Sequence, residues 1–282
     1  MHTKTELLEI LRANGLRLKK RLGQHYLIDP RLTERLIHLC GITTEDTVVE
    51  IGAGLGALTD GLAGVAKRVI AVEIDPTISE LLKIRIASKP NVEVVCQDIL
   101  TFPWARDSIT TVVGTIPYQI TSPLLITLCE QASSVREVWL GLQQEVAQRL
   151  NAKPGTKAYG RLTLLVQYHF DVKRIMAMPR SAFFPQPKVD SLWIRLVARP
   201  SPPALIKDAS LFFDLVRAAF SQRRKTLLNC LRQLTRIRFD RQGAAEAIRL
   251  AGLPEEVRGE ALSLEAFARL ANTISAIMPH GT

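Results

Sequence analysis

A glycine-rich segment between two carboxylates is the first stretch of this chain that can carry chemistry. EIGAGLGALT (50–59) follows an apolar run and precedes a helical pattern, and Gly52, Gly54 and Gly56 allow its backbone to turn tightly beside a ligand. The helix that follows offers free N–H groups to that ligand. Glu73 comes 21 residues after Gly52, at the end of the next apolar run. A carboxylate there can accept hydrogen bonds from both hydroxyls of a ribose.

This loop alone fits two classes of enzyme. Gly52, Gly54 and Ala57 also satisfy the Gly/Ala form of the dinucleotide-binding fingerprint, so a nicotinamide oxidoreductase is one interpretation. Glu50 favours the second class, an enzyme with a cationic cofactor. A carboxylate just before the loop is unfavourable beside a pyrophosphate and favourable beside a positive charge. Asp98, at the end of the third apolar run, either accepts from an adenine amino group or caps a turn. S-adenosylmethionine carries a ribose, an adenine and a cationic sulfonium, and it matches these carboxylates.

A fourth apolar run ends in Thr115, Ile116, Pro117 and Tyr118. Hydride transfer does not require such a motif, so it does not favour the oxidoreductase. An exocyclic adenine amine is a poor nucleophile because its lone pair is conjugated into the ring. A backbone carbonyl beside Pro117 and the side chain of Thr115 can accept its N–H bonds and free that lone pair. Pro117 holds the turn rigid, and the ring of Tyr118 offers a stacking face worth ~1–3 kcal/mol. A sulfonium leaves as a neutral thioether, so this chemistry needs positioning rather than a general base.

The elements that must position these residues alternate between strand and helix. Short apolar runs predict seven strands, at 47–51, 68–74, 92–97, 110–114, 137–142, 172–178 and 192–198. Helical spacing predicts intervening helices, at 29–40, 76–88 and 122–132. Asp29 and Ser122 are the predicted caps of two of them, with Pro30 and Pro123 at the first helical positions. This alternation predicts an α/β fold with a helix-covered parallel sheet, whose first five strands are buried on both faces. The residues described above then share the carboxyl edge of the sheet, where such folds bind ligands.

The pattern changes at a group of three prolines, Pro200, Pro202 and Pro203. Only helical patterns follow, in SLFFDLVRAAF, TLLNCLRQL, AAEAIRLAGL and SLEAFARLANTI. We therefore predict a cofactor-binding domain over residues 1–199 and a smaller all-helical domain over residues 200–282.

The charge of the chain indicates an anionic partner. The 282 residues carry a formal net charge of +10. Eight basic residues and a single acid lie between Arg217 and Arg241, and a second basic cluster is formed by Lys19, Lys20 and Arg21. Each cluster alone is also what a solvated surface looks like. Two clusters in one chain favour binding to a polyanion, with nucleic acid the first candidate.

The remaining composition excludes several classes of protein. The four cysteines lie far apart, and no Cys/His cluster has metal-ligand spacing, so we expect free thiols and no metal site. The N-terminal segment carries acids and is not a signal peptide, and no stretch approaches the ~20 apolar residues of a membrane span. We expect a soluble, cytoplasmic and monomeric protein without a membrane partner.

The motifs in their order resemble one family over essentially the whole chain. They are KRLGQHYL, EIGAGLGALT, AVEID, QDIL, GTIPYQITSPLL, YGRLTLLVQ, FFPQPKVDS and FSQRRKTLLNCL. The set is similar to the ribosomal RNA adenine N6,N6-dimethyltransferases, the KsgA family. The resemblance implies a Rossmann-like class I methyltransferase sheet with a helical C-terminal domain. It also implies transfer of methyl groups from S-adenosylmethionine to two neighbouring adenosines near the 3′ end of small-subunit (16S) ribosomal RNA, during assembly of the small ribosomal subunit.

The resemblance implies roles for further residues. His25 and Leu27 occupy cofactor-contact positions, and Thr115 joins them. Phe183 matches an aromatic residue that helps to hold the target base, with core packing as the alternative and Phe184 as the competing residue. Arg223, Arg224 and Lys225 match the family's basic segment in the helical domain, which the resemblance places on RNA phosphates. Together with the charge cluster of Lys19, Lys20 and Arg21, they are the predicted RNA-binding residues.

One residue departs from the family pattern. The family motif usually begins with Asn where this chain has Thr115, and a threonine hydroxyl reaches less far than an amide oxygen. Three functions therefore stay open besides the oxidoreductase. They are an active small-subunit RNA dimethyltransferase, a ribosome-assembly factor with little catalytic activity, and a methyltransferase acting on large-subunit RNA.

Overall fold

The computed structural model describes residues 3–16, 18, 23–106, 108–234, 237 and 239–277. The chain forms two compact units. The first comprises Met1–Ala147 with Phe170–Ala198, and the second comprises Gln148–His169 with Arg199–Thr282. The structure differs from the predicted boundaries in one respect, because residues 148–169 belong to the second unit. The reason is their packing, since Tyr159 and Leu164 are buried in the apolar core of that unit.

A seven-stranded sheet forms the centre of the first unit. Its strands are β2 (Thr47–Ile51), β3 (Arg68–Glu73), β4 (Val92–Cys96), β5 (Thr111–Thr115), β6 (Glu137–Gln143), β7 (Phe170–Met178) and β9 (Ser191–Ala198). Their order across the sheet is β4-β3-β2-β5-β6-β9-β7, and β9 alone runs antiparallel to its neighbours. The predicted seven-stranded, mostly parallel sheet is confirmed.

The burial of the strands follows their place in this order. β2, β3 and β5 are almost entirely buried, as their runs of Val and Ile predict. β4 is only half-buried and its last residue, Cys96, is exposed, because β4 lies at an edge of the sheet. The prediction that all of the first five strands are buried on both faces is wrong for this strand.

Helices connect the strands of the first unit. They are α1 (Lys4–Ala13), α2 (Pro30–Cys40), α3 (Thr59–Ala63), α4 (Pro76–Arg85) and α5 (Thr121–Glu130), and α6 (Gln144–Leu150) continues into the second unit. Asp29 caps α2 as predicted, accepting from the N–H of Leu32. Ser122 does not cap α5, because the helix begins one residue earlier and Ile120 occupies the cap position without a side-chain hydrogen bond. A short 3₁₀ turn over Tyr118–Ile120 leads directly into α5 and makes the predicted cap unnecessary.

The sequence analysis missed a second, two-stranded sheet. β1 (Tyr26–Leu27) pairs antiparallel with β8 (Phe183–Phe184), and Leu27 lies opposite Phe183. Each strand is two residues long, so neither has a hydrophobic periodicity that could indicate it. This pairing brings the N-terminal HYL segment to the FFPQP segment.

The second unit is helical, as predicted. It contains α7 (Arg161–His169), α8 (Ala209–Ser221), α9 (Leu227–Leu231), α10 (Arg241–Leu250) and α11 (Leu264–Ile277). Its core is formed by side chains such as Phe212, Leu231, Ile248 and Phe267. Among the described residues of both units, no helix is long and apolar enough to cross a membrane.

Candidate cofactor and adenine site

A cavity of the first unit gathers nearly all of the predicted catalytic and cofactor-binding residues. The predicted residues that line it are His25, Leu27, Glu50, Gly52, Gly54, Glu73, Asp98, Thr115, Ile116, Pro117, Tyr118 and Phe183. The cavity lies at the carboxyl ends of β2, β3, β4 and β5, because the parallel strands bring these ends to one edge of the sheet. Further lining residues that sequence reasoning missed include Gln24, Tyr26, Gln97, Gln119 and Ser191.

Gly56 is the exception among the predicted residues of this unit, since it does not line the cavity. A Cβ atom at this position would lie 2.8 Å from Cδ1 of Leu82 in α4, and its φ of +87° is one that side chains rarely adopt. Gly56 therefore allows close packing between the loop and α4. Gly54 is the glycine that faces the cavity, with the ring of Tyr26 3.2 Å from where its Cβ would be.

Glu73 links the end of β3 to the glycine-rich loop. Its carboxylate accepts from the N–H of Gly54 and the N–H of Asp75, each at 2.9 Å. Burial raises the pKa of Glu73, and the nearby Asp75 carboxylate adds to this effect, while the backbone donors oppose it. Each carboxylate oxygen keeps a further lone pair for a ligand hydroxyl.

Glu50 is buried at the end of β2 and lines the same cavity. Burial raises the pKa of Glu50 to about 8, the Thr59 hydroxyl lowers it by donating at 2.6 Å, and the Glu73 carboxylate raises it. Two buried carboxyl groups in one cavity repel each other when both are ionised, and a bound cation would relieve that repulsion. The pair suits a positively charged ligand.

Asp98 follows β4 and has the turn-capping contact that the sequence analysis left open. Its Oδ1 accepts from the N–H of Leu100 at 2.9 Å and starts a 3₁₀ turn over Ile99–Thr101. Among the described residues, none donates to the second oxygen, Oδ2. Because Asp98 lines the cavity, this oxygen can accept from an amino group there.

The end of β5 places two hydrogen-bond acceptors at the cavity, the Thr115 hydroxyl and a backbone carbonyl beside Pro117. The existing hydrogen bonds show which carbonyl, that of Ile116 or that of Pro117, is available to a ligand. The carbonyl of Pro117 already accepts from the N–H of Ile120 at 3.2 Å and from the Thr121 hydroxyl at 3.4 Å. No described residue donates to the carbonyl of Ile116, whose N–H is held by the carbonyl of Gly141 at 3.1 Å. The available carbonyl beside Pro117 is therefore that of Ile116, adjacent to the side chain of Thr115.

Tyr118 packs beside His25. Its ring lies 5.8 Å from the imidazole of His25, tilted by 31° between the ring planes. Burial raises the pKa of the Tyr118 hydroxyl, and the Ser191 side chain lowers it. His25 in turn contacts the carbonyl of Pro185 through Nδ1, at 2.5 Å. These contacts fix a half-buried aromatic ring at the cavity, with a face available to a flat ligand.

The structure separates Phe183 from its competitor. Phe183 lines the cavity and is 6% exposed, with its remaining surface packed in the core. Phe184 packs beside α1 with Leu7 and Leu11, and the ammonium of Lys4 lies 5.2 Å from its ring centre. Alternation along β8 thus turns Phe183 toward the cavity and Phe184 away from it.

The predicted basic residues that the structure describes do not line this cavity. Arg223, Arg224 and Lys225 lie in the second unit, and Lys19, Lys20 and Arg21 lie outside the described residues. Arg223 is already bound, because its guanidinium pairs with Glu260 at 2.9 Å and donates to the carbonyl of Lys157 at 3.0 Å. Within the described parts of the chain, no group of His, Cys, Asp and Glu side chains could hold a metal ion.

The mostly parallel sheet and this cavity together define a Rossmann-like methyltransferase. The chain belongs to the ribosomal RNA adenine dimethylase family, since a family model of that description matches residues 15–275. It is thus a ribosomal RNA adenine dimethyltransferase, and S-adenosylmethionine is its cofactor. This assignment excludes the nicotinamide oxidoreductase.

Curated relatives and solved structures agree with this family. Two proteins named ribosomal RNA small subunit methyltransferase A, from Geobacillus thermodenitrificans and Bacillus mycoides, are each 40% identical to the chain. The matches cover 96% and 94% of this chain and 94% of each relative. A dimethyladenosine transferase from Plasmodium falciparum is similar in structure, with a TM-score of 0.77 and 27% identity over 89% of this chain and 97% of that one. The 23S rRNA methyltransferase ErmE has a TM-score of 0.67 and 28% identity over 89% of this chain and 99% of that one.

Proposed function

We propose that this protein dimethylates the N6 amines of two adjacent adenosines near the 3′ end of 16S ribosomal RNA, and so takes part in small-subunit biogenesis. The names of the relatives that are 40% identical support the small subunit as the substrate. The observation that carries the chemistry is the end of β5, where the free carbonyl of Ile116 borders the same cavity as Glu73 and Asp98. A role in the assembly of the small subunit supports a cytoplasmic location.

The lining residues fit S-adenosylmethionine. Glu73 would accept from the ribose hydroxyls, and Asp98 would accept from the adenine amine through Oδ2. Gly52 and Gly54 let the backbone approach the ligand, and His25 and Leu27 close the cavity from the N-terminal side. When bound, the cofactor supplies an electrophilic methyl group on a cationic sulfonium. The buried carboxyl groups at the cavity favour that positive charge.

The target adenine is activated by acceptors rather than by a base. The Ile116 carbonyl and the Thr115 hydroxyl would accept from the two N–H bonds of the amine, which turns its lone pair out of conjugation. Tyr118 and Phe183 would hold the ring, the first by stacking on its face. The excess proton passes to solvent, so these residues act by orienting the amine for in-line attack.

A large-subunit RNA methyltransferase is the second candidate, and the similarity to ErmE favours it. That similarity is 28% in sequence, against 40% for the relatives named for the small subunit. A ribosome-assembly factor with little catalysis is the third candidate, and Thr115 is the residue that favours it. The free carbonyl of Ile116 argues for catalysis, because it does not depend on the side chain at position 115.

Methyl transfer to the two ribosomal subunits separates these candidates. Purified protein is incubated with labelled S-adenosylmethionine and with unmethylated small or large subunits, and the label in RNA is counted. We expect label in the small subunit, a loss of about 5- to 150-fold in Tyr118→Ala, and little loss in Tyr118→Phe, which keeps the ring. Label confined to the large subunit would support the ErmE-like function, and no label in either subunit would support the assembly factor.

A further inference from the structure

Gly141 is a glycine inside a buried strand, and it lines the cavity that holds the predicted cofactor and adenine residues. It lies within β6 and pairs with Thr115 of β5 in the parallel register. A glycine in the interior of a strand lowers stability, and it often marks a place that another group approaches closely. The contacts at this position show which group approaches.

The backbone around Gly141 does not require a glycine. Gly141 is not among the glycines with a positive φ, so its backbone conformation is open to any residue. Gly114 shows the contrast, because a Cβ atom there would lie 2.7 Å from the backbone carbonyl oxygen of Ile51. The three atoms nearest to a Cβ on residue 141 would all belong to side chains. They are the Thr115 methyl at 3.2 Å and Sδ and Cε of Met178 at 3.2 and 3.5 Å.

The contact with Gly141 restricts how the side chain of Thr115 is turned. The Cβ atom of a threonine carries a hydroxyl, a methyl group and a hydrogen in three staggered positions, so a fixed methyl group leaves the hydroxyl only the other two. The Thr115 methyl lies against Gly141. No described residue forms a hydrogen bond with the Thr115 hydroxyl. The packing of the methyl group, rather than a hydrogen bond, therefore holds this side chain.

The same contact lies beside the backbone acceptor of the cavity. The carbonyl of Gly141 accepts from the N–H of Ile116 at 3.1 Å, which ties β6 to the residue whose own carbonyl has no described donor. Thr115 and Ile116 both line the cavity. A group added at position 141 would therefore displace the side-chain acceptor while the backbone acceptor keeps its place.

We propose that Gly141 is a positioning residue for methyl transfer. Because it has no side chain, the Thr115 methyl can lie against β6 and leave the hydroxyl to the target amine. A side chain at position 141 would push this methyl group away and turn the hydroxyl from the amine. The inference rests on the proposed function, because that function makes the Thr115 hydroxyl an acceptor for the amine.

Single-turnover methylation of unmethylated small ribosomal subunits by wild type and Gly141→Ala is the first test. We expect Gly141→Ala to be about 5- to 30-fold slower at saturating cofactor and subunits, which is the effect of one hydrogen bond made mostly in the transition state. The subunit concentration that gives half of the maximal rate should change little. Gly160→Ala is the control, because a Cβ there meets nothing within 4 Å, and it should react at the wild-type rate. A Gly141→Ala protein as fast as the wild type would overturn the proposal.

A second substitution distinguishes positioning of Thr115 from packing against Met178. Thr115→Ser keeps the hydroxyl and removes the methyl group that the new Cβ would meet. The loss caused by Gly141→Ala should therefore nearly vanish when it is measured in a Thr115→Ser background. The same loss should persist in a Met178→Val background, which removes the other contact. If Met178→Val restores the rate and Thr115→Ser does not, the glycine makes room for Met178 and the proposal is overturned.

The outcome is separable from that of the proposed function. S-adenosylmethionine affinity, measured by calorimetry, and the melting temperature should be the same in Gly141→Ala and in the wild type. A loss of cofactor affinity in Gly141→Ala would assign the glycine to cofactor binding and overturn the positioning role. Absence of methyl transfer by the wild type would count against the proposed function instead.

Discussion

Glu73 is a residue with two tasks at one carboxylate. It shapes the glycine-rich loop by accepting from the N–H groups of Gly54 and Asp75, and its remaining lone pairs face the cavity where a ribose would bind. Glu50, one strand away, is buried without a cationic partner among the described residues. Both features cost the free protein stability, and both are favourable once a cation and a pair of hydroxyls occupy the cavity.

Replacing Glu73 with glutamine should therefore weaken cofactor binding more than it disturbs the fold. Glu73→Gln keeps the shape of the side chain and an acceptor for one backbone N–H, but it loses the charge that strengthens the bonds to the ribose. We expect S-adenosylmethionine affinity, measured by calorimetry, to fall by ~1–3 kcal/mol. Glu80→Gln, an exposed carboxylate on α4, is the matched control and should bind normally. Equal affinities in the two variants would remove Glu73 from the cofactor site.

The raised pKa of Glu50 predicts a pH dependence of stability. The ordinary value is 4.5 and burial raises the pKa to about 8 in the fold, so the unfolded chain releases this proton first as the pH rises. The contribution of Glu50 is then fully present below pH 4.5 and is lost progressively until about pH 8. We expect the cofactor-free wild type to lose on the order of 3 kcal/mol relative to Glu50→Gln between pH 5 and pH 9, in urea unfolding. Parallel stability curves would show that Glu50 is not the buried acid described here.

Thr115 leads to a third prediction at the scale of single residues, which concerns the rate of methyl transfer. The carbonyl of Ile116 is in place, and the shorter side-chain acceptor is what limits orientation of the amine. Gly141 lies opposite Thr115 in β6, and the Thr115 methyl lies 3.2 Å from where a Cβ of residue 141 would be, so the glycine leaves space for this methyl group. Thr115→Asn should raise kcat by roughly 5- to 30-fold, or ~1–2 kcal/mol, with cofactor affinity unchanged. Single-turnover methylation of small subunits measures this, and a slower variant would show that threonine suits this pocket better.

At the scale of elements, the strands could be predicted from the sequence and several connections could not. Buried parallel strands such as β3 are continuous apolar runs, which periodicity detects directly. The start of α5 was predicted wrongly because a 3₁₀ turn, rather than Ser122, precedes the helix. The pairing of β1 with β8 joins residues far apart in the sequence, and no local pattern reports such a contact.

In the candidate site, too, some features could be predicted from the sequence and others are visible only in the packing. The carboxylates at strand ends were predictable, because parallel strands must bring these ends together. Gly54 and Gly56 look alike in the sequence. Only the packing shows that Gly56 lies against Leu82 and that Gly54 faces the cavity. Tyr26 lines the cavity with a buried hydroxyl that has no described partner. It lies in the motif KRLGQHYL, but nothing in the motif distinguishes it from its neighbours as a lining residue.

Gly114 provides a prediction for the element that carries the acceptors. A Cβ atom there would lie 2.7 Å from the backbone carbonyl oxygen of Ile51 in β2, and a backbone atom of a central strand cannot move aside cheaply. Gly114→Ala should lower the free energy of unfolding by about 1–3 kcal/mol and reduce methyl transfer by displacing β5. Gly160→Ala is the control, because a Cβ there meets nothing within 4 Å. Equal urea midpoints for the two variants would mean that β2 and β5 adapt to the added methyl group.

At the scale of the whole molecule, the composition indicates the kind of partner, and the structure shows which cations are already paired and where the cofactor cavity lies. The net charge of +10 indicates an anionic partner but does not say which cations meet it. Ion pairs hold Arg217, Arg223 and Arg249 of the helical unit. The sheet unit carries the cofactor cavity and the acceptors for the amine. We therefore propose that methyl transfer takes place in the first unit.

The identity of the modified nucleosides decides whether this protein is a small-subunit adenine dimethyltransferase. Purified protein and S-adenosylmethionine are incubated with unmethylated small ribosomal subunits, and the 16S RNA is digested and mapped by mass spectrometry. We expect N6,N6-dimethyladenosine at two adjacent positions near the 3′ end, and none in a reaction without cofactor. Unmodified RNA, or a methyl group on any other atom or in any other part of the RNA, would contradict it.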